Sequence, residues 1–253
     1  MCDIKDMNII LSNDDGVNSN GIIKLAEQLC KTNNVLVVAP SENCSASGHS
    51  LSIHKKIKLK KHHKDGYECY SITGTPVDCI KFAKLHFKDF KADLVVAGIN
   101  KGHNLGSDIL YSGTVSIACE ASFFGNVSFA FSTFSLGESD FEKYAIYAER
   151  IINALIPYSE PSDIWNINFP NLSPEDVKGV KFTCLGKQIY SDRYERVSEN
   201  EYVLTGELLE HNENPIDCDV EWVKKGFISI TPILLNKTNY KKIDEVKNIC
   251  IKL

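Results

Sequence analysis

The sequence predicts an α/β protein: a three-layer, Rossmann-like core built on a parallel sheet, followed by an extended C-terminal arm. Three observations carry the core. Over the first ~135 residues, short apolar runs alternate with segments whose apolar residues recur at helical spacing. The first such unit joins two apolar runs through one amphipathic segment, which requires parallel strands and a right-handed crossover. Each run then opens into a polar loop rich in Asn, Asp, Ser and Gly, where open parallel sheets carry their ligands.

Residues 8–12 read as a buried strand, with a polar loop over 13–20. Ile22, Leu25, Ala26 and Leu29 share one helical face over 21–30. Residues 35–39 form the second strand, stopped by Pro40. Leu51, Ile53, Ile57 and Leu59 fall on odd positions with Lys56, Lys58 and Lys60 between them, which predicts a strand with one charged face. The Lys- and His-rich run over 54–64 is weighed as a nucleic-acid patch and read instead as a lysine-protected edge strand, paired in a hairpin with 67–72. A helix over 76–87, a third parallel strand over 94–99, a helix over 114–124 and a fourth strand over 126–133 complete the core. Ser139 and Glu142 have capping-box spacing, ahead of a helical stripe through Phe141, Tyr144, Ala148, Ile152 and Leu155 that ends at Pro157. Further strands are expected over 164–169, 180–184 and 227–231. Residues 186–226 show no strong period and many acids, which predicts an extended arm or hairpin. The core is placed at 7–135, and the return helix, strands and arm at 136–253, within one domain overall.

Composition excludes several classes. The chain is 43% hydrophobic and 24% charged, ordinary for a globular protein, and 253 residues bury a core that needs no disulfides. No apolar run approaches the ~20 residues of a membrane span, and residues 1–6 carry no apolar secretory region. A net charge of −5 argues against a nucleic-acid polymer as partner. The nine cysteines form no CxxC pair and read as reduced thiols. The expectation is a cytoplasmic protein that engages no membrane. With 25 Lys and 3 Arg, phosphate recognition falls to backbone amides, Lys or a metal.

Candidate chemistry sits in the loops after the strands. Asp14 and Asp15 are adjacent carboxylates whose repulsion favours a raised pKa or a bound cation. The competing reading is a loop in which Asp caps the following helix. The first loop holds no His or Cys, so a cation there would be magnesium or manganese rather than zinc or copper. Ser112, Gly113 and Thr114 precede a helix and offer amides and two hydroxyls to a phosphate, with ordinary capping as the alternative. Gly98, Gly102 and Gly106 do not make GxGxxG, and neither a P-loop nor GxSxG occurs, so dinucleotide, P-loop and serine-triad readings are unsupported. His49 and His103 lie in strand-end loops as candidate proton donors, against the plainer reading of non-catalytic loop histidines.

Residues 8–17, Asn-Ile-Ile-Leu-Ser-Asn-Asp-Asp-Gly-Val, resemble the opening of the SurE family of survival-protein nucleotidases. The resemblance continues through Ala39-Pro40, Ser45, Gly-Thr-Pro-Val-Asp-Cys at 74–79, Gly-Ile-Asn at 98–100, Asn-Leu-Gly at 104–106 and Tyr-Ser-Gly-Thr-Val at 111–115. It is strong over 7–135 and patchy to 232, through blocks at 166–170 and 226–232. It implies a metal-dependent phosphatase that hydrolyses nucleoside 5′- and 3′-monophosphates to nucleoside and phosphate; some members also trim short polyphosphate. It implies one divalent ion, magnesium or manganese, on Asp14, Asp15, Ser45 and Asn100, with both aspartates also catalytic. The phosphate-binding set is then Asn104, Ser112, Gly113 and Thr114. The resemblance further implies self-association as a dimer or tetramer, with the C-terminal arm exchanged. Two departures stand out. Cys44 occupies the position before Ser45 where the family often has Arg, and residues 1–6 precede the usual start and read as a dispensable extension. The alternative function is a nucleotide-binding regulator that does not hydrolyse its ligand. The aspartate pair separates the two, because paired carboxylates facing an anion make little sense without a metal.

Overall fold

The computed structural model describes residues 5–134, 137–210 and 213–249. The start of the expected N-terminal extension, residues 1–4, lies outside the described residues. The chain opens with β1 (Asn8–Ser12), α1 (Asn20–Leu29), β2 (Asn34–Pro40), β3 (Leu59–His62), β4 (Glu68–Ile72) and α2 (Pro76–His86). It continues through β5 (Leu94–Lys101), α3 (Gly113–Phe123), β6 (Val127–Thr133), α4 (Glu138–Leu155) and β7 (Ile164–Asn168). The rest comprises β8 (Val180–Phe182), β9 (Arg193–Arg196), β10 (Tyr202–Thr205), α5 (Asp219–Lys224), β11 (Ile228–Ile233) and α6 (Tyr240–Val246).

Nine strands form one sheet in the order β3-β4-β2-β1-β5-β6-β7-β11-β8. The run from β4 to β7 is parallel throughout; it contains the four expected parallel strands, β1, β2, β5 and β6, extended by β4 on one side and β7 on the other. β3 joins β4 antiparallel at one edge, and β11 joins β7 antiparallel near the other, with β8 parallel to β11. Strands from both sides of residue 135 therefore share a single sheet. Ile9, Ile10 and Leu11 of β1 are all fully buried. Successive strand residues point to opposite faces, so this uninterrupted apolar run needs a helical layer on each side. One layer is α1 with α4, and the other is α2 with α3.

Local chemistry accounts for the helix starts. Thr75 caps α2, accepting from the Asp78 amide at 3.2 Å while Asp78 accepts from the Thr75 amide at 2.8 Å, and Pro76 sits in the first turn. α1 lies so close on the sheet that a Cβ at Gly21 would be 1.9 Å from the Ile99 carbonyl oxygen. Only glycine allows that approach, which sets the helix beside the end of β5.

The structure corrects several expectations. Residues 51–58 form no strand, despite their alternation. A turn intervenes, with His54 at φ +62° and the Lys55 amide on the Ser52 carbonyl, and the Ser52 amide is drawn to the Asp78 carboxylate. Pairing begins only at Leu59, where the lysine-rich edge strand does appear. Ser139 lies inside α4 rather than at its cap. Gly137 is the cap, and its amide is taken by Asp140 at 3.0 Å. The segment 186–226 contains the expected hairpin, β9 with β10, but also the short helix α5, which has too few turns to show a period. No helix is long and apolar enough to cross a membrane among the described residues.

Candidate active site

β2, β1 and β5 are adjacent and parallel, so the loops that follow them leave the same edge of the sheet. Gly16, at φ +96°, permits the turn after β1, and the Val17 amide ties that loop to the Pro40 carbonyl at 2.9 Å. Asp14 is almost fully buried. Its Oδ1 accepts the Thr114 hydroxyl at 2.5 Å, and its carbonyl accepts the Cys44 amide at 2.7 Å. A Cβ at Gly113 would lie 2.6 Å from Asp14 Cβ and 2.8 Å from its Oδ2. Glycine there lets the carboxylate rest on the first turn of α3, whose unpaired amides favour an anion.

Asp15 is held from the end of β5 and from the loop after β2. Its Oδ2 accepts the Lys101 amide at 3.0 Å, and its Oδ1 accepts Asn43 Nδ2 at 3.4 Å. Asn43 Oδ1 in turn accepts the Ser45 amide at 2.8 Å. Asn100, at the end of β5, donates from Nδ2 to the Gly102 carbonyl at 2.8 Å. Asp14, Asp15, Gly113 and Thr114 are thus in one constellation. Ser45 and Asn100 each stand next to a group bonded to it.

The electrostatics of the pair are strained. Burial pushes the Asp14 carboxyl above its usual range, against the opposing pull of the Thr114 hydroxyl. Burial also pushes Asp15 up, opposed by the Lys101 amide and reinforced by the charge of Asp14. Among the described residues neither carboxylate belongs to an ion pair within 4.0 Å. Buried carboxylates without a counter-charge are costly. The Thr114 hydroxyl and the side-chain oxygens of Asn13 and Asn43 lie beside the pair, and oxygen donors are the kind a hard divalent ion prefers, so the residues fit such an ion. Asn13 Oδ1, beside the pair, is buried and unpartnered. No cluster of three or more His, Cys, Asp or Glu suited to a metal exists among the described residues.

The other expected site residues divide. Ser112 caps α3, its Oγ accepting the Val115 amide at 3.0 Å, so the capping role holds. Asn104 is buried in an amide network. Its Nδ2 donates to Ser132 Oγ at 2.7 Å, its amide donates to Asn168 Oδ1 at 2.8 Å, and its carbonyl accepts from Asn166 and Asn168. Both candidate proton donors are engaged. His49 Nε2 lies 2.9 Å from the buried Glu120, whose other oxygen pairs with Lys81 at 2.6 Å. His103 Nε2 is 2.7 Å from the Phe169 carbonyl, and burial lowers its pKa. Sequence reasoning passed over Lys101, whose amide fixes Asp15; its place beside Asn100 was the available signal.

Two cavities adjoin this edge. One, of about 410 Å³, is lined by Asp15, Ser19, Asn43, Lys101 and Phe141. The other, of about 720 Å³, begins two residues further along the same loop, at His103 and Leu105.

Comparison with known proteins adds the following. The family model described as Survival protein SurE matches residues 9–192. A protein named 5′-nucleotidase SurE from Clostridium botulinum (strain Alaska E43 / Type E3) is 39% identical over 251 residues, covering 96% of this chain and 99% of the relative. Another of the same name, from Thermoanaerobacter sp. (strain X514), is 38% identical over 252 residues, covering 98% of this chain and all of the relative. The crystal structure of SurE from Aquifex aeolicus superposes with a TM-score of 0.80 at 36% identity, covering 94% of this chain and 98% of that one.

Proposed function

The chain belongs to the SurE family, and on that premise we propose that it is a metal-dependent 5′-nucleotidase, hydrolysing nucleoside 5′-monophosphates, and 3′-monophosphates as well, to nucleoside and phosphate. The observation that carries this reading is the adjacent Asp14 and Asp15 carboxylates, without an ion pair among the described residues, with Asp14 buried on the first turn of α3 and Asp15 half-buried beside it. Asp14, Asp15, Ser45 and Asn100 would hold one magnesium or manganese ion. Such an ion supplies positive charge for a phosphoryl group and for an attacking water.

The chain's own groups do the positioning. The Gly113 and Thr114 amides, the Ser112 hydroxyl and the Asn104 loop hold phosphate oxygens at the start of α3. Asp15, fixed by the Lys101 amide and Asn43, orients the attacking water. Phosphoryl transfer depends mainly on positioning and charge stabilisation, so this small set suffices. A non-hydrolysing nucleotide sensor is the weaker reading, because it would set two carboxylates against an anion to no purpose. Product analysis separates the two. A nucleoside 5′-monophosphate incubated with the protein and manganese is expected to yield nucleoside and inorganic phosphate. Nucleotide recovered intact would support the sensor.

The proposal extends to self-association and to a cytoplasmic location. The β9–β10 hairpin exposes Tyr194, Tyr202, Val203 and Leu204, an apolar surface that an isolated chain leaves in water. Within the arm expected over 186–226, the β9–β10 hairpin would pack on a neighbouring subunit, whereas α5 is seated on β11 of its own chain and Asp219 bonds the Gly106 amide. Light scattering is expected to report a dimer or tetramer, and a monomer would contradict this arrangement.

A further inference from the structure

We propose that the cavity framed by His103 and Phe134 receives the nucleobase of the substrate by stacking. The inference rests on the nucleotidase reading above and deepens it. Phe134 follows β6 immediately and is 46% exposed, so its ring is open to a ligand in the cavity it lines. Its ring centroid is 5.7 Å from that of His103, with the planes at 45°. Two backbone contacts hold the pair in place. The Gly102 amide donates to the Thr133 carbonyl at 2.7 Å, clamping the loop to the end of β6, and the Phe169 carbonyl fixes the His103 ring at 2.7 Å.

The location suits a nucleotide. His103 is three residues from Asn100, a reach of at most ~11 Å along the chain. The Asp15 carboxylate is already bonded to Lys101 between them. The cavity's 720 Å³ falls within the range of small-molecule sites, and Leu105 and Val220 supply further apolar wall. The smaller cavity beside Asp15 is lined mainly by polar groups and suits the phosphate and sugar end instead. Aromatic faces accept any base, because stacking reads no base edge. The site therefore predicts tolerance among bases.

The test compares a nucleoside 5′-monophosphate with ribose 5-phosphate, the same ester without its base, in the unaltered protein, Phe134→Ala and Phe134→Trp. Phe134→Ala is expected to raise KM for the nucleotide about tenfold or more, with kcat little changed and ribose 5-phosphate unaffected. Phe134→Trp, which restores an aromatic face, should keep the nucleotide KM near its original value. Equal KM values for both esters in the unaltered protein, or no selective effect of Phe134→Ala, would overturn the subsite while leaving the nucleotidase reading intact. Hydrolysis of neither ester by the unaltered protein would overturn both.

Discussion

Replacing Asp15 with asparagine is expected to lower turnover of a nucleoside monophosphate at least about a hundredfold, equivalent to ~2.7 kcal/mol of transition-state stabilisation. Groups that merely support a metal's ligands cost about 10- to 100-fold when changed. A direct carboxylate ligand should exceed that, since its loss weakens ion binding and removes the group that orients water. The fold should survive. Asparagine keeps the size of the side chain, and its carbonyl oxygen can still accept the Lys101 amide, which now bonds Asp15 at 3.0 Å. The sign of the stability change follows from the raised pKa of Asp15. A carboxylate whose folded pKa lies above its unfolded one destabilises the folded state at neutral pH, and that cost fades as pH falls through the folded pKa. Removing the charge should leave the metal-free protein at least as stable, within ~0.5 to 1 kcal/mol of the original. Excess manganese should restore part of the activity where the defect is one of affinity. Kinetics at saturating metal, beside a melting curve, check both statements. Activity within about tenfold of the original would remove Asp15 from the site, and unfolding would assign it a structural role.

The parallel core was readable because burial on both faces leaves an unmistakable trace. β1, β2 and β5 are continuous apolar runs, and Ile22, Leu25, Ala26 and Leu29 of α1 keep their helical spacing in the buried face. The alternation over 51–57 misled because period two records which positions are apolar, not whether a partner strand is present. A turn at His54 breaks the chain before β4 can pair with it. Antiparallel addition of β11 to β7 joins residues more than sixty positions apart, and local pattern carries no trace of that order.

The site shows the same division. Adjacent aspartates after a buried strand were conspicuous, because two like charges in one loop need a reason. The role of Gly113 was hidden, since it depends on Asp14 approaching from a different strand. Asn104 enters the phosphate-binding set through the family resemblance; in the structure its side chain bonds Ser132, and its backbone is held by Asn166 and Asn168 of β7, contacts that local pattern does not reveal. His49 drew attention as a loop histidine. Its partner Glu120 lies mid-helix in α3, where nothing in the spacing marked it as buried and paired.

Metal removal should have the largest effect of all. Without a cation, the charges of the buried Asp14 and half-buried Asp15 would oppose the binding of a phosphate, so the stripped protein should lose both its electrophile and its affinity for the anion. The measurement is phosphate release from a nucleoside 5′-monophosphate by protein stripped with chelator, then resupplied separately with magnesium, manganese or zinc. The oxygen-only donor set predicts near-complete loss in chelator and recovery with magnesium or manganese. Full activity in chelator, or zinc as the sole effective ion, would contradict the assignment of a hard-metal phosphatase centre to the Asp14–Asp15 pair.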